Sequence, residues 1–248
     1  MDRDLTGKIK DIFFESDRIY GARKILRELR KKGIRTSRKH IRRLMNEAGL
    51  VPVTRRRIVN TTDSKHDLAI FPNLLQQNFS TSNINRTWVS DFTYIPTDEG
   101  WLYLCSVLDI CSRRIVGWAV SKNIDRHLAI AALNSAVENR KPGPEFIFHT
   151  DRGCQYASSD FRNAVAAAGG IQSMSAKGNP YDNACAESFF KSLKVECISR
   201  QHFATREQAE KAVARYMLFY NRKRIHASLD YVSPADFESL IANLPLVS

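Results

Sequence analysis

Residues 86–120 read RTWVSDFTYIPTDEGWLYLCSVLDICSRRIVGWAV, and this stretch predicts three consecutive β-strands. Residues 88–96, 101–110 and 113–120 are rich in β-branched and aromatic side chains, and Asp98–Gly100 supplies turn residues between the first two runs. Because links this short cannot cross over to a parallel strand, we predict an antiparallel meander.

Helical and strand-like patterns alternate after the meander. The predicted elements are a helix at 125–139, a strand at 146–150, a helix at 158–168, a strand at 171–175, and two long helices at 183–198 and 205–221. The order βββαβαβα is typical of an α/β fold with a mixed sheet of the ribonuclease H type. We predict this fold for residues 83–248, with a helical extension at the carboxyl end.

Three acidic residues occupy the places where this topology brings chain segments together. Asp91 lies in the first strand, Asp151 follows the fourth, and Glu187 lies in the helix after the fifth. An ionised carboxylate in an apolar strand must be paired or bound to a cation. Carboxylate oxygens are suitable ligands for Mg²⁺. We predict that these three residues are catalytic and hold two Mg²⁺ ions, with Mn²⁺ as an alternative, for an in-line phosphoryl displacement.

The helix that contains Glu187 has two distinct faces. Its apolar positions are Ala186, Phe189, Phe190, Leu193 and Cys197. Glu187, Lys191 and Lys194 lie along another ridge at i, i+4 and i+7. We predict that the two lysines contact a DNA backbone next to the metal ligand. The alternative is a solvent-facing ion pair.

Nearly all of the excess positive charge lies in the first quarter of the chain. The net charge is +12, and residues 1–60 contain 18 of the 38 Lys and Arg but only 7 of the 26 Asp and Glu. A small basic module of this kind commonly binds nucleic acid by releasing counterions from phosphates. The alternative is a solvated basic surface that maintains solubility.

This first quarter also has the pattern of a helix-turn-helix domain over residues 1–50. Its apolar positions at helical spacing are Ile9, Ile12 and Phe13, then Ala22, Ile25, Leu26 and Leu29, then Ile41, Leu44, Met45 and Ala48. Thr36 or Ser37 caps the third predicted helix, and Gly33 and Gly49 end the second and third. The third helix carries Arg38, Lys39, Arg42 and Arg43 away from its apolar stripe, so we predict that these four residues bind DNA.

Residues 51–82 lack clear periodicity and are predicted to form a linker that packs against its neighbours. The charged amino terminus does not resemble a signal peptide, and no apolar run approaches the roughly 18 residues of a spanning helix. Five cysteines without a C-x-x-C pair disfavour a disulfide framework and a zinc knuckle. We therefore expect a cytoplasmic protein without a membrane partner.

Several further residues have a structural interpretation. Trp88 and Trp101 are expected in the core. Asp109 has two interpretations, a structural role at a strand end and a supporting role at the acidic site, and the first is favoured about twofold. His149 either contacts substrate or packs behind Asp151.

The motifs around the three acids resemble a known family. Asp91, Asp151 and Glu187, with 35 residues between the last two, are similar to the acidic triad of retroviral-integrase-like DDE recombinases. Residues 149–153, 173–184 and 187–194, together with the tail from Tyr220 to Pro234, resemble the catalytic, second-frame protein of a large bacterial insertion-sequence transposase family. The amino-terminal helices resemble the helix-turn-helix of the same family.

The resemblance implies DNA strand cleavage and strand transfer at insertion-sequence ends, with water and then a DNA 3′-hydroxyl as nucleophiles. It implies DNA ends and a target duplex as partners, and a homo-oligomer on DNA. It also implies an upstream first-frame product as fusion or partner, and the chain from its own methionine would be the unfused form. No zinc is implied, because the His-His-Cys-Cys module of retroviral integrases is missing from the sequence.

Two functions remain as alternatives. One is a structure-selective nuclease of the same fold, which would cut DNA without joining it. The other is a helix-turn-helix regulator whose α/β domain serves oligomerisation without catalysis. The sequence does not specify which terminal repeats the protein recognises, which target it prefers, which host carries it or which oligomeric state it adopts.

Overall fold

A mixed five-stranded sheet forms the centre of the carboxyl-terminal part of the chain. The computed structural model describes residues 2–53, 71–75, 83–175 and 183–243. Its strands are β1 (Thr87–Ile95), β2 (Leu102–Asp109), β3 (Ile115–Ser121), β4 (Phe146–Thr150) and β5 (Gly170–Met174), in the order β3-β2-β1-β4-β5. β1, β2 and β3 form an antiparallel meander, and β4 runs parallel to both β1 and β5. The predicted meander and mixed sheet are confirmed.

Eight α-helices are present in the described residues. They are α1 (Asp2–Glu15), α2 (Ala22–Lys31), α3 (Arg38–Glu47), α4 (Arg126–Arg140), α5 (Ser159–Ala167), α6 (Ala184–Glu196), α7 (Arg206–Arg222) and α8 (Pro234–Ala242). Side-chain caps begin several of them: Asp125 accepts a hydrogen bond from the Leu128 N–H, and Ser158 accepts one from the Phe161 N–H.

Helices cover both faces of the sheet, as the ribonuclease H type requires. On one face, α6 and α7 pack on β1 and β2 through a cluster that includes Val89, Ile95 and Phe189. On the other, α4 and α5 pack through a cluster that includes Trp88 and Phe148. Side chains alternate along a strand, so successive residues of β1 enter opposite clusters.

The amino-terminal module consists of the three predicted helices. Ser37 caps α3 by accepting a hydrogen bond from the His40 N–H at 3.1 Å. Gly33 and Gly49 follow α2 and α3 with φ of 73° and 64°, a conformation that glycine adopts without strain. The apolar faces of the helices form one cluster that contains Ile9, Ile25 and Ile41, each with no exposed surface.

This module packs against the segment that follows α7. The Tyr20 hydroxyl donates to the Lys223 carbonyl at 2.8 Å and accepts from the Ile225 N–H at 2.9 Å. Ile225 belongs to the same hydrophobic cluster as the three helices. On the surface, Arg200 pairs with Asp17 at 2.6 Å. The side chain of Tyr20 therefore joins the module to the carboxyl-terminal part.

Arg224 lies at the centre of a buried polar network beside this junction. Its guanidinium makes two hydrogen bonds of 2.7 Å to Glu196, at the end of α6, and a third to the Ser192 hydroxyl. The neighbouring His226 ring packs edge-on against Tyr220, with ring centroids 4.8 Å apart. Burial lowers the pKa of His226 to about 2, and the positive charge of Arg224 contributes further.

Parts of the predicted linker are outside the described residues, namely 54–70 and 76–82. Within 71–75, Leu75 is buried in the cluster beneath α6 and α7, whereas Leu74 is exposed. The Leu74 N–H donates to the Ser173 hydroxyl at 2.9 Å, which holds this segment beside β5. Among the described residues, no helix has both the length and the apolar character needed to cross a membrane.

Gly117→Ala is expected to destabilise the fold. A Cβ at Gly117 in β3 would lie 2.4 Å from the Ala136 nitrogen and 2.6 Å from the Ala132 carbonyl oxygen of α4. Backbone atoms cannot rotate away, so α4 must shift, and we expect a loss of about 1–3 kcal/mol in the free energy of unfolding. Chemical denaturation measures it. Gly7→Ala is the matched control, because a Cβ at Gly7 in α1 meets nothing within 4 Å and replacing a helical glycine stabilises by roughly 0.5–1 kcal/mol.

His226 is expected to make stability decrease as the pH falls below about 6.5. The folded-state pKa of His226 lies near 2, well below the ordinary 6.5. As the pH falls, the unfolded chain therefore binds this proton before the folded chain does, and protonation favours unfolding. Between pH 7 and pH 5 this contributes a loss of about 2 kcal/mol. His226→Gln should remove that part of the pH dependence in denaturation curves, while substitution of the exposed His127 by Gln should leave it intact. Parallel pH profiles for wild type and His226→Gln would contradict the assignment.

Candidate functional site

The pairing of β1 with β4 directs two of the predicted acids to the same end of the sheet. β4 pairs with β1 only over three residues, and the last pair is Val89 opposite His149. Two residues further along each segment are Asp91 and Asp151. Neighbouring strands lie about 4.8 Å apart, so this parallel register carries both carboxylates to one edge.

Helix α6 brings the third acid to that edge. Ala186, Phe189 and Leu193 pack in the same cluster as Val89 and Ile95 of β1, which holds the first turns of α6 over the strand. Glu187 lies in the first turn of α6, half-buried.

Electrostatic coupling connects the three carboxylates. The pKa of Asp91 is raised to about 8, first by burial, then by the negative charge of Asp151 and, more weakly, of Glu187. The Phe92 N–H, which donates to Asp91, and the charge of Lys194 act in the opposite direction. The charges of Asp151, Glu187 and Lys194 therefore all act on Asp91.

The carboxylates do not converge on a single point. Among the described residues, no three His, Cys, Asp or Glu side chains are grouped closely enough to ligate one metal ion. Each acid instead has a local donor: Asp91 accepts from the Phe92 N–H at 2.7 Å, Asp151 from the Gly153 N–H at 3.0 Å, and Glu187 from Lys191 at 3.3 Å. The donor set nevertheless suits a hard divalent cation, because its oxygens are those that Mg²⁺ prefers and a cation would relieve the repulsion at Asp91.

A buried polar layer supports the two strands behind the acids. The Tyr156 hydroxyl lies 2.9 Å from the Ser90 hydroxyl and 3.5 Å from the Cys105 sulfur. Burial raises the pKa of the Cys105 thiol to about 12, and the charges of Asp91 and Asp151 add to the shift. This layer therefore stays neutral and does not neutralise the carboxylates.

His149 and Asp109 have structural contacts. His149 is fully buried, and its ring nitrogens lie 2.8 Å and 3.2 Å from the hydroxyls of Ser173 and Ser175 on and after β5. It thus holds the end of β4, which leads to Asp151. Asp109 is fully buried and accepts from the Asn85 and Ser112 N–H groups at the end of β2.

The two predicted lysines of α6 have different surroundings. Lys191 is exposed and forms an i, i+4 ion pair with Glu187. A solvent-facing ion pair of this kind is the alternative to a DNA contact for this ridge. Lys194 places its ammonium 4.8 Å from the ring centroid of Tyr94 on β1.

The predicted DNA-binding residues of α3 lie on the surface of the module. Arg38, Lys39 and Arg42 are exposed. Arg43 is also exposed, but it pairs with Asp2 at 2.7 Å and with Glu47 at 2.9 Å. The sequence pattern did not reveal the Asp2 contact, because it joins two helices 41 residues apart.

The expectation of a core position is right for Trp88 and wrong for Trp101. Trp88 has no exposed surface, whereas Trp101 is 48% exposed. Trp101 immediately precedes β2 and packs edge-on against Tyr94, which is itself 42% exposed, with ring centroids 4.9 Å apart. Hydrophobicity alone suggested burial, but at this end of the hairpin no layer from the described part of the chain covers the ring.

Part of the motif that carries the resemblance is outside the described residues. This part spans 176–182 and includes Asp182, which the sequence favours as a helix cap over a fourth metal ligand. Helix α6 itself begins as predicted, with Asn183 preceding it.

Family models match three segments of the chain. An HTH-like domain matches residues 1–57, and integrase core domain models match residues 82–180 and 187–240. The two integrase core matches include the three acidic positions.

Curated relatives are similar over nearly the whole chain. The transposase for insertion sequence element IS904 of Lactococcus lactis is 42% identical over 94% of this chain and 93% of its own length. Transposase InsF for insertion sequence IS3A of Escherichia coli is 42% identical over 92% of this chain and 79% of its own length. A 31 kDa protein of insertion element IS600 from Shigella sonnei is 39% identical over 95% of this chain and 87% of its own length.

A solved structure has the same fold. It is a chain of the simian T-cell lymphotropic virus intasome in complex with PP2A regulatory subunit B56 gamma, with a TM-score of 0.55 and 14% identity over 86% of this chain and 69% of that chain. Together with the fold and the two kinds of matched domain, the identity to the curated relatives establishes the family. The chain is a member of the insertion-sequence transposases, built from an HTH-like domain and an integrase core domain.

Proposed function

We propose that this transposase cleaves and joins DNA by divalent-metal-dependent phosphoryl transfer at Asp91, Asp151 and Glu187. The observation that carries the proposal is the coupled carboxylate group: burial and two neighbouring negative charges raise the pKa of Asp91 to about 8. Buried carboxylates that repel one another reduce the stability of the fold. A role in the chemistry of the protein is the best explanation for their presence on an apolar strand.

The three side chains would act as oxygen ligands. Asp91, Asp151 and Glu187 would hold a pair of Mg²⁺ ions, with Mn²⁺ as an alternative. When bound, such ions supply Lewis-acid stabilisation to the attacking and leaving oxygens of the phosphodiester. The protein's own contribution would be to hold Asp91 on a strand, Asp151 directly after β4 and Glu187 on a helix, which limits the rearrangement needed to bring the three carboxylates to the ions.

Basic side chains would position the DNA. Lys191 and Lys194 lie on the same ridge of α6 as Glu187 and would contact the phosphates that flank the reacting one. Arg38, Lys39 and Arg42 on α3, with Arg43 once its two ion pairs are exchanged, would bind the element ends through the helix-turn-helix domain.

The partners would be insertion-sequence ends and a target duplex. Joining two ends to one target requires that both ends be held at once, so we propose a homo-oligomer on DNA. An upstream first-frame product, as fusion or separate chain, would supply additional recognition of the ends. Residues 1–50, 51–82 and 83–248 would then serve as end-binding domain, linker and catalytic domain.

Neutralising each acid tests the catalytic assignment. Asp91→Asn, Asp151→Asn and Glu187→Gln should each reduce strand transfer to background, because each removes one anionic ligand. The assay uses labelled element ends, a target duplex and Mg²⁺, and it scores cut and joined products separately. Asp160→Asn is the matched control, since Asp160 is an exposed acid of α5 paired with Arg126. Transfer that survives in any of the three variants would refute the triad.

The same variants have a readout that does not depend on activity. Mg²⁺ that binds only the folded state raises the unfolding midpoint of the wild type. Asp91→Asn should show a smaller rise, while Asp160→Asn should match the wild type. An equal rise in Asp91→Asn would place the bound ion elsewhere.

The basic face of α3 is tested by the salt dependence of DNA affinity. The triple variant Arg38→Gln, Lys39→Gln and Arg42→Gln should weaken binding to a labelled duplex of the element end. It should also flatten the plot of log affinity against log salt by about 0.9 for each phosphate that the variant no longer neutralises. Arg43→Gln alone should change less, because Arg43 already pairs with Asp2 and Glu47.

The control for this experiment removes the same charge from other faces. Lys8, Lys31 and Lys211 are surface lysines, each paired with an acid on its own helix. Their triple replacement by Gln should change both the affinity and the slope much less. Equal slopes in the two triple variants would mean that α3 does not contact phosphate.

A further inference from the structure

We propose that Tyr94 and Trp101 form a stacking platform for an unpaired DNA base next to the reacting phosphate. This role rests on the proposed function, because it presupposes that DNA reaches the carboxylates. It adds a binding element to that site which neither the acidic residues nor the helix-turn-helix domain supplies.

The two rings are exposed aromatic surface at a single place. Tyr94 is 42% and Trp101 48% exposed, and their ring centroids are 4.9 Å apart with an interplanar angle of 79°. An edge-to-face pair of this kind leaves area on both rings uncovered. Exposed aromatic rings are the usual platform for unpaired bases, because every base has a π-face.

The platform lies further along β1 than the acidic group. Tyr94 is three residues, roughly 10 Å, beyond Asp91 and on the other side of the strand, in the part that follows the last pair with β4 at Val89. Lys194 links the two places, since its ammonium lies 4.8 Å from the Tyr94 ring centroid and its charge acts on Asp91. A strand of DNA with its phosphate at the acids would thus pass Lys194 and then reach the two aromatic rings around this end of β1.

The β1–β2 turn beside the platform is held by the first residue of α7 and by the segment before that helix. Arg206 donates from its Nε to the Trp101 carbonyl at 3.0 Å and from a second guanidinium nitrogen to the Glu99 carbonyl. The Glu99 carboxylate accepts from the Arg206 N–H at 2.8 Å, and the Asp98 N–H donates to the Phe203 carbonyl at 3.0 Å. The β1–β2 turn is therefore clamped on both sides, so little ordering is needed when a base stacks.

A DNA base fits this surface better than a protein side chain does. The rings adjoin a lysine and stand within a few residues of Asp91, so an apolar partner would have to cover charged groups as well. Nucleic acid presents an anionic backbone to the lysine and a flat ring to the aromatics. In a duplex that ring is stacked inside, so the platform selects a base that has left the helix.

Binding of a 12-nucleotide oligothymidylate, with the full chain and a chelator present, tests the platform without catalysis. Trp101→Ala should weaken binding of the labelled strand by about tenfold, and weaken binding of a 20-base-pair duplex much less. Trp101→Phe retains a ring and should restore most of the affinity. Phe14→Ala is the matched control, because Phe14 is an exposed aromatic residue on α1 and its removal should change neither affinity.

Intrinsic fluorescence gives a second readout. Trp88 is buried and Trp118 half-buried, so Trp101 is the most exposed indole. Oligothymidylate should quench the wild-type emission, and Trp101→Phe should lose most of that quenching while still binding. Quenching that persists in Trp101→Phe, or equal weakening of single-strand and duplex binding in Trp101→Ala, would overturn the proposal.

The same variants separate this proposal from its alternatives. If Trp101→Ala abolishes self-association in sedimentation while oligothymidylate affinity is unchanged, the rings contact a second copy of the chain and the platform is refuted. Failure of the proposed function would appear differently, as absence of strand transfer in the wild type with stacking still detectable. Circular dichroism and the unfolding midpoint confirm that Trp101→Ala is folded.

Discussion

The short parallel pairing of β1 with β4 is the contact on which the site depends. Only three residue pairs hold the strands together, and the last of them precedes Asp91 and Asp151 by two residues on each side. A shift of one residue would turn one of the two acids to the opposite face of the sheet. The buried His149, bonded to Ser173 and Ser175, fastens β4 to its other neighbour and so maintains this register.

The rest of the fold keeps a costly charge arrangement in place. Asp91 experiences burial and two like charges, and the hydroxyl and thiol groups behind it remain neutral. Apolar packing of α6 against β1 holds Glu187 there, and the buried Arg224–Glu196 pair secures the far end of the same helix. Breaking such a buried pair leaves an uncompensated charge, so the end of α6 is strongly constrained.

One segment contacts both helix α6 and the amino-terminal module. Arg224 binds Glu196 of α6, while the residues on either side of it accept from and donate to the Tyr20 hydroxyl. A module joined only by a flexible linker would move independently of the carboxyl-terminal part. Here hydrogen bonds and a shared hydrophobic cluster fix its contact with the carboxyl-terminal part, so the three helices do not depend on the linker alone for their position.

Local pattern in the sequence was sufficient for the elements. Runs of β-branched and aromatic residues joined by short links predicted the meander, and helical spacing predicted α1 to α3 and α6. Asp91, Asp151 and Glu187 stood where the topology would gather acids. Contacts between distant segments had no local signal. The Arg43–Asp2 pair, the Tyr20 junction and the exposed position of Trp101 all depend on which surfaces meet. Hydrophobicity records the tendency of a side chain to leave water, whereas only tertiary packing determines whether another layer covers it. For Trp101 no layer in the described residues does.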